Sequence, residues 1–501
     1  MAYSKPYTKL NFVSFTFACF CTISFVVFMS STQSFFLTDV LGISTKIGDY
    51  IGTLGFADEL VSMAISPFLG ALSDKIGAKY ISVVGVFIVG LCLIIYTTAK
   101  NVYPDLLFMR MLFAVGATAS ASMMTAMLAE MTASGFELSS LLTRAPVSET
   151  IEEEGDGAVA QETSPKRNGK LASVIGIASG SGAVFAASFY LPLPHKFGQV
   201  EPPSEALKHS YHVIGCIAIA SSAVLAYGLY CPKNVRFNLL SRYLSPYDEV
   251  FDELEAEEQH SENEEKSYFN LLKLGFAEAK NKKIALAYLG GFVSRSTTVC
   301  ISVFIPLYVN SYYLKSDQCD STDRSSCREA YIQAAILTGI THTIALIFAP
   351  IFGYITDKYG RKAGLIITAI NGIVASLGYA FLENPKSTWA YIFSILFGVS
   401  MIGSIITSMS LVTDQKRDHN GSISGVFGFC GGIGILIISK VGGYSADMWS
   451  GAPFFIMAIF NTVLLGATLY KGEKMDFLFN RVNTSGTYLP LIGNDGEASA
   501  I

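Results

Sequence analysis

The sequence has few charged residues for its length of 501 residues: Asp, Glu, Lys and Arg make up only 15% of it. Soluble globular chains carry about 25%. Hydrophobic residues make up 51%, and a soluble fold with that balance would expose large apolar patches. The formal net charge of −5 gives no basic excess of the kind that binds nucleic acid. Soluble proteins and nucleic-acid-binding proteins are therefore excluded.

Motifs of several other protein classes are also missing. The sequence has no G-x-x-x-x-G-K-[ST] phosphate loop, which argues against a nucleotide-driven pump. It has neither a Cys/His spacing typical of zinc sites nor a nucleophile–base pattern, so we expect no metal, no cofactor and no enzymatic activity. Of nine cysteines, only Cys319 and Cys327 lie in a polar loop. These two are candidates for a disulfide if the loop faces a non-cytoplasmic compartment.

Apolar stretches that match the length of a membrane-spanning helix, about 20 residues, recur along the whole chain. They predict an all-α polytopic membrane protein embedded in the lipid bilayer. The twelve predicted spans cover roughly 11–37, 48–72, 80–99, 105–129, 171–193, 211–231, 284–310, 329–352, 363–383, 389–413, 421–441 and 452–470.

The distribution of Lys and Arg predicts the orientation of the spans. Connections on the side of both termini hold 24 of the 35 Lys and Arg residues, against nine on the opposite side. Because cytoplasmic loops are enriched in these residues, we predict that both termini are cytoplasmic.

The spans divide into two groups of six. We predict an N-terminal six-helix bundle over 1–231, a linker over 232–283, a C-terminal six-helix bundle over 284–470 and a cytoplasmic tail over 471–501. The linker and a second insert, about 133–170, are acidic and should resist folding. They are interpreted either as solvated linkers or as binding segments for a cytosolic partner.

The two groups of six share an internal repeat at a constant offset in sequence. Residues 59–80 read ELVSMAISPFLGALSDKIGAKY, and residues 342–363 read HTIALIFAPIFGYITDKYGRKA. Such a repeat predicts two pseudo-symmetric halves, as in many transporters. The matched pairs are Pro67/Pro350, Gly70/Gly353, Asp74/Asp357, Lys75/Lys358, Gly77/Gly360 and Lys79/Lys362.

The repeated segment G-x-L-S-D-K-x-G-x-K resembles the signature loop of the major facilitator superfamily, and the second copy, G-Y-I-T-D-K-Y-G-R-K, matches it better. The first copy departs from the pattern at Ala78, where the family usually has Arg. Arg110 followed by Gly116 resembles another family motif. The resemblance implies a secondary transporter that moves a small-molecule substrate by alternating access. The acidic inserts favour a eukaryotic member, with a fungus as one source.

The two loops are candidate gates. Asp74 and Asp357 can receive a helix N-terminus or a basic residue, and the glycines allow close helix approach. The alternative is that the loops only fix topology through their positive charges. The other gating candidates are Gly70, Lys75, Gly77, Gly353, Lys358, Gly360 and Arg361.

Five ionisable residues fall inside predicted spans, where each costs roughly 2.5–3.5 kcal/mol on insertion scales. They are Asp58, Glu59, Arg110, Arg295 and His342. A stripe of small residues on the face of Glu59 (Gly52, Gly55, Ser66 and Gly70) predicts that this carboxyl group points towards protein.

Glu59 and His342 occupy equivalent positions of the repeat, and both side-chain types suit reversible protonation. We therefore predict that one or both carry a coupling proton; the alternative is that both only form hydrogen bonds between helices. Asp58 or Glu59 is a candidate partner of Arg110. Arg295 is interpreted either as the contact for an anionic substrate group or as an ion-pair partner of Asp58.

Four functions fit the sequence: a proton-coupled carrier of a small organic solute, a drug/proton antiporter, a carrier without a coupling ion, and a sensor that binds a solute without moving it. Span 5 lacks the Gly-Pro pattern that is usual in such antiporters. The pattern Glu137-x-x-x-Leu141-Leu142 resembles an acidic dileucine signal, which favours a vacuolar or endolysosomal membrane over the plasma membrane.

Overall fold

A computed structural model describes residues 7–133, 166–230, 276–315, 324–413 and 420–470. Within these ranges the chain forms twelve long helices and no strand. The first half comprises α1 (Lys9–Phe35), α2 (Ile47–Ile76), α3 (Ala78–Tyr96), α4 (Leu107–Ala133), α5 (Lys166–Phe185) and α6 (Pro203–Gly228). The second half comprises α7 (Lys282–Val299 and Ile305–Lys315), α8 (Arg324–Tyr359), α9 (Arg361–Ala380), α10 (Thr388–Thr413), α11 (Asn420–Ile437 and Gly443–Met448) and α12 (Ala452–Tyr470).

Eleven of these helices, within the part of the chain that is described, are long and apolar enough to cross a membrane. The remaining one, α2, spans 30 residues, but Asp49, Asp58 and Glu59 make it less apolar. It packs between α4 and α11, so these acidic groups face protein rather than lipid. The structure therefore confirms the predicted all-α, twelve-span membrane architecture.

The helices pack first within their own half. In the first half, α3 packs on α4 and α6, and α1 packs on α5; in the second, α9 packs on α10 and α12, and α7 packs on α10 and α11. The halves meet along three pairs of helices, α1 with α7, α2 with α11 and α5 with α8. These pairs are the ones that a pseudo-twofold arrangement brings together.

The repeat is visible in the backbone. Helix α2 ends at Ile76, Gly77 has a φ of +90°, and α3 begins at Ala78. Helix α8 ends at Tyr359, Gly360 has a φ of +85°, and α9 begins at Arg361. Only glycine adopts this left-handed backbone readily, so both tight turns require it. We call the end of the bundle that carries these turns the repeat end, and the opposite end the far end.

Four of the helices that join the halves contain a five-residue π-helical turn, at Phe36–Val40 (α1), Ala186–Tyr190 (α5), Cys300–Phe304 (α7) and Ile438–Gly442 (α11). A fifth such turn, Val102–Leu106, precedes α4, which belongs to none of these pairs. A π-helical turn locally changes the direction of side chains and is frequent at functional sites. The sequence analysis did not predict these turns, because an extra residue in a helical turn leaves the apolar pattern almost unchanged.

Several sequence predictions lie outside the described residues. These include most of the insert 133–170, most of the linker 232–283 and the tail 471–501. Cys319 also lies there, and Cys327 is described only by its backbone in α8. The disulfide and the cytosolic partner therefore stay predictions.

Candidate functional site

Asp58 and Arg110 form an ion pair inside the first half. Arg110 Nε of α4 donates to Asp58 Oδ2 of α2 over 2.5 Å, and Arg110 is only 4% exposed. The guanidinium group also lies over the ring of Phe113, 5.5 Å from its centroid. Because the two charges compensate each other within one half, this pair joins α2 to α4 and is not available to another charged partner.

Tyrosine side chains surround the first-half ion pair. Tyr96 of α3 stacks on Tyr211 of α6 with 5.5 Å between ring centroids, and Tyr211 shares a hydrogen bond of 2.8 Å with Thr32 of α1. Among the described residues, Asp58 Oδ1, Arg110 Nη1 and the Tyr96 hydroxyl group have no hydrogen-bond partner. The two charges are therefore compensated by each other rather than by the tyrosines.

Glu59, the neighbour of Asp58, lies in a different environment. Its carboxyl group points to α11 of the other half. If Gly432 of α11 carried a Cβ atom, that atom would lie only 2.8 Å from Glu59 Oε1. Among the described residues, Glu59 has neither a hydrogen bond nor an ion pair within 4.0 Å. It is partly exposed, so its carboxyl group borders the space between the halves.

Arg295 of α7 lies on the other side of the same glycine pair. A Cβ on Gly431 would lie 2.8 Å from Arg295 Cγ, and the side chain of Arg295 is exposed although it lies within a span. Arg295 interacts electrostatically with Glu59. The structure thus brings Glu59 and Arg295 to one place between the halves, and it pairs Asp58 with Arg110 instead of Arg295.

His342 is buried in α8, 6% exposed. Its Nε2 atom has no hydrogen-bond partner among the described residues. One turn away, Gly339 approaches Ala187 of α5, with 3.6 Å between a Cβ built on Gly339 and the Ala187 Cβ. His342 therefore lies near the α5–α8 contact, whereas Glu59 lies at the α2–α11 contact, and the repeat relates the two residues without bringing them together.

The candidate gating loops lie at the repeat end. A Cβ on Gly70 or Gly353 would have no atom within 4 Å, so neither half packs on these glycines. Lys358 donates to the hydroxyl group of Tyr354 over 2.8 Å. Arg361 is the first residue of α9. The side chains of Asp74, Lys75 and Asp357 lie outside the described part of the structure, so their gating role stays a prediction.

Polar contacts between α2 and α11 hold the far end together. Asp447 of α11 accepts hydrogen bonds from the backbone amides of Gly48 and Asp49, over 2.7 and 2.8 Å. These amides belong to the first turn of α2, where such groups need an acceptor. Lys440 of α11 donates to Asp49 and Thr53, over 2.7 Å in each case. We call these residues the Asp447 cluster.

A second set of contacts joins α1 to the second half at the far end. Tyr331 of α8 donates to Asp39 Oδ2 over 2.5 Å, and its ring stacks on Phe35 at 4.1 Å. Nearby, Ser31 donates to the carbonyl of Ser302 over 3.1 Å. We call Phe35, Asp39 and Tyr331 the Asp39 cluster. The sequence analysis missed both clusters, because their residues lie at helix ends, where a polar residue is unremarkable.

Glycines show how the contact between the halves changes along the bundle. A Cβ on Gly48 or Gly52 of α2 would collide with the backbone of Gly443 or Ser439 of α11. At the repeat end, nothing lies within 4 Å of a Cβ on Gly70, Gly176, Gly353, Gly425 or Gly428. The space between the halves is thus closed at the far end and open at the repeat end.

Comparison with known proteins agrees with this architecture. The family model described as Major Facilitator Superfamily matches residues 155–439, more than half of the chain. The chain belongs to the Major Facilitator Superfamily. It is an integral, multi-pass membrane protein with the two-bundle fold of that superfamily.

Among curated proteins, the tetracycline resistance protein, class H, of Pasteurella multocida is 34% identical over 135 residues, 26% of this chain and 32% of that protein. The multi-drug resistance efflux pump PmrA of Streptococcus pneumoniae serotype 4 is 24% identical over 197 residues, 39% of this chain and 44% of the pump. The chain thus matches less than half the length of either relative.

The fold is similar to that of solved transporters. The nucleoside transporter NupG superposes with a TM-score of 0.63 at 14% identity, over 93% of this chain and 100% of NupG. The xylose transporter XylE from E. coli, in a partially occluded inward open conformation, gives a TM-score of 0.59 at 14% identity, over 92% of this chain and 97% of XylE.

Proposed function

We propose that the chain is a secondary active transporter that moves a small organic solute by alternating access, coupled to a proton at Glu59. The observation that carries this proposal is the contrast between two adjacent acids of α2. Asp58 is neutralised by Arg110 within one half, whereas Glu59 borders the space between the halves. A carboxylate there can exchange a proton with that space and change how the halves attract each other.

The orientation follows from the excess of Lys and Arg in the connections at the repeat end. We place the repeat end and both termini in the cytosol, in either a vacuolar or endolysosomal membrane or the plasma membrane. On this assignment the described conformation is open to the cytosol. Its likeness to an inward open XylE structure supports this assignment.

Transport requires the opposite state as well. The halves, proposed as residues 1–231 and 284–470, would separate at the far end and close at the repeat end. In that state the stripe that ends at Gly70 and its equivalent at Gly353 would pack against the other half. The gating loops, with Asp74 and Asp357, would then hold the repeat end shut, while His342 remains a second candidate for proton transfer.

The test uses the purified full chain in proteoliposomes that enclose a metabolite extract or are suspended in it, with and without a pH gradient. Mass spectrometry identifies the compounds that cross. We expect native protein to concentrate at least one compound in response to the gradient, and Glu59→Gln to abolish that concentration. Glu59→Gln retaining full gradient-driven accumulation contradicts the role of Glu59, and solute binding without flux supports the sensor instead.

Asp58→Asn is the matched comparison on the same helix. It leaves the Arg110 charge buried without a partner, which typically costs about 3–5 kcal/mol. We therefore expect Asp58→Asn to lower the melting temperature, whereas Glu59→Gln should melt like the native protein.

A drug/proton antiporter is the second candidate, because two of the similar curated proteins are a tetracycline resistance protein and a multidrug efflux pump. The direction of the pH gradient distinguishes it from a symporter. A symporter concentrates its solute on the side to which protons flow, whereas an antiporter concentrates it on the side from which they flow.

A further inference from the structure

Arg295 is a cation inside a membrane span, and it forms no ion pair with a carboxylate of the described residues. Among the described residues no carboxylate lies within 4.0 Å of its guanidinium group, although the side chain is exposed and lies beside Gly431 of α11. A charge at this depth needs compensation. Among the described residues, the charge of Arg295 is compensated only by its electrostatic interaction with Glu59, without direct contact.

The acids that could have paired with Arg295 are engaged elsewhere. Asp58 binds Arg110, Asp39 accepts from Tyr331, and Asp49 binds Lys440. Glu59 interacts electrostatically with Arg295 and forms no ion pair of its own among the described residues. The two side chains lie on either side of Gly431 and Gly432, so they border the same part of the open space.

The other charged groups around Glu59 do not compete for this role. On its own helix and on α4, Asp58 and Arg110 compensate each other. The facing segment of α11 contributes two glycines, and the nearest charges of that contact, in the Asp447 cluster, lie about ten residues or ~15 Å away along α2. Among the described residues, Glu59 and Arg295 are thus the two opposite charges of this region that no ion pair compensates.

We propose that Arg295 binds an oxyanion group, carboxylate or phosphate, of the transported solute, and that protonation of Glu59 frees Arg295 to do so. While Glu59 is ionised, the pair is neutral and an added anion leaves one uncompensated negative charge. When Glu59 is protonated, one positive charge remains, and the anion compensates it. A guanidinium group suits both oxyanions, because its planar fork binds two oxygens at once.

This inference rests on the proposed function and adds its substrate class, an organic anion. Proton and anion each favour the binding of the other, and the coupling is reciprocal. One proton carried with one singly charged oxyanion moves no net charge. A membrane potential alone should therefore leave the uptake of a monoanion unchanged.

The experiment divides a metabolite extract by anion exchange into a retained and an unretained fraction. Each fraction is offered to proteoliposomes of the full-length protein under a pH gradient, and the compounds that enter are identified by mass spectrometry. A portion of the retained fraction is first treated with phosphatase, which separates phosphate-bearing from carboxylate-bearing solutes. We expect accumulation from the retained fraction only.

Three variants sharpen the result. We expect Arg295→Gln to reduce the uptake of these anions at least 100-fold, and Arg295→Lys, which keeps the charge but not the fork, to reduce it about 10-fold. Glu59→Gln, which resembles the protonated state, should keep anion exchange between equal concentrations but lose accumulation and its pH dependence. As a control, Lys196→Gln removes an exposed charge at the far end and should match the native protein.

The outcomes separate this inference from the carrier proposal. Accumulation of unretained compounds only, or anion uptake that survives Arg295→Gln, overturns the anion site and leaves the carrier in place. Failure of both fractions to enter overturns the carrier and the anion site together.

Discussion

The two ends of the bundle differ in what lies between the halves. At the far end, the Asp447 cluster, the Asp39 cluster and backbone contacts at Gly48 and Gly52 join one half to the other. At the repeat end, glycines at matching depth face open space. Helices α2 and α8 run through both ends, so the same two helices contact the other half at one end and not at the other.

The two ends also carry different groups for closure, observed at the far end and proposed at the repeat end. The far end closes through hydrogen bonds, the ion pair of Lys440 with Asp49 and close backbone contact, each of modest strength. We propose that the repeat end closes through the charged loops that follow α2 and α8. A carrier that alternates needs two closures of similar stability, since a large imbalance would leave one state almost unpopulated.

The largest loss of transport should come from replacing a far-end glycine with a bulky residue. Leucine at Gly52 would occupy the position of the Ser439 carbonyl, so the far end could not close. We expect transport to fall at least about 100-fold, since added volume in a packed contact costs about 1–3 kcal/mol or more, and the far end to widen. Gly70→Leu, in open space on the same helix, should leave the described conformation intact. Spin-label distances between Lys100 and Glu383 measure the far end, and equal far-end distances in both variants contradict the account.

Removing the carboxyl group of Asp447 should open the far end less strongly. Asp447→Ala leaves the first amides of α2 without their acceptor, and loss of such a cap costs about 0.5–2 kcal/mol. The population with an open far end should rise about 2- to 30-fold, measured with the same label pair. Asp105→Ala is the control, because Asp105 accepts from the Lys100 amide within one half. If both variants raise the population with an open far end equally, the α2–α11 contact does not control the closure.

A smaller rise in the population with an open far end is expected from Tyr331→Phe. The variant loses the hydrogen bond to Asp39 but keeps the stacking on Phe35, so about 1 kcal/mol is lost. The population with an open far end should then rise about fivefold. Tyr444→Phe, at an exposed residue of α11, is the matched control. If Tyr331→Phe and Tyr444→Phe show the same population with an open far end, then Asp39 and Tyr331 do not contribute to the closure.

The smallest effect is expected for a contact within one half. Lys386 donates to Glu329 over 2.8 Å, and hydrogen bonds with Glu329 and Tyr313 raise the pKa of Lys386 above its usual value. Its contribution is complete at neutral pH and is lost only in strongly alkaline solution. Because the pair is exposed, Lys386→Ala should change the population ratio less than twofold. A larger shift would mean that contacts within a half also set the closure.

Much of the fold could be predicted from the sequence, because the signals are regular. Twelve apolar runs give the spans, and the constant offset of the repeat gives the symmetry, down to the matching turns at Gly77 and Gly360. The stripe that ends at Gly70 was predicted to pack against protein. The structure packs Gly52 and Gly55 against α11 but leaves Gly70 uncovered. The sequence pattern does not distinguish these positions, because it reflects every conformation that a carrier adopts.

The candidate site could be predicted only in part. The sequence marks Asp58, Glu59, Arg110 and Arg295 as ionisable residues in spans, but it left two partners open for Arg110. Adjacent residues of a helix point about 100° apart, and which neighbour each meets depends on the packing of α4, α7 and α11. The Asp447 cluster joins opposite ends of the chain, from the start of α2 to the end of α11, and a single sequence contains no signal for such a contact.

The most direct test of the account measures both ends of the bundle as a function of pH. Spin-label pairs at Lys79/Lys362 and at Lys100/Glu383 occupy equivalent positions of the repeat, one pair at each end. We expect distances at the two ends to change in opposite directions between pH 5 and pH 8. We also expect Glu59→Gln to abolish the change and Glu205→Gln to preserve it. Distances that stay fixed, that move in the same direction, or that respond to pH in Glu59→Gln as in the native protein would contradict the account.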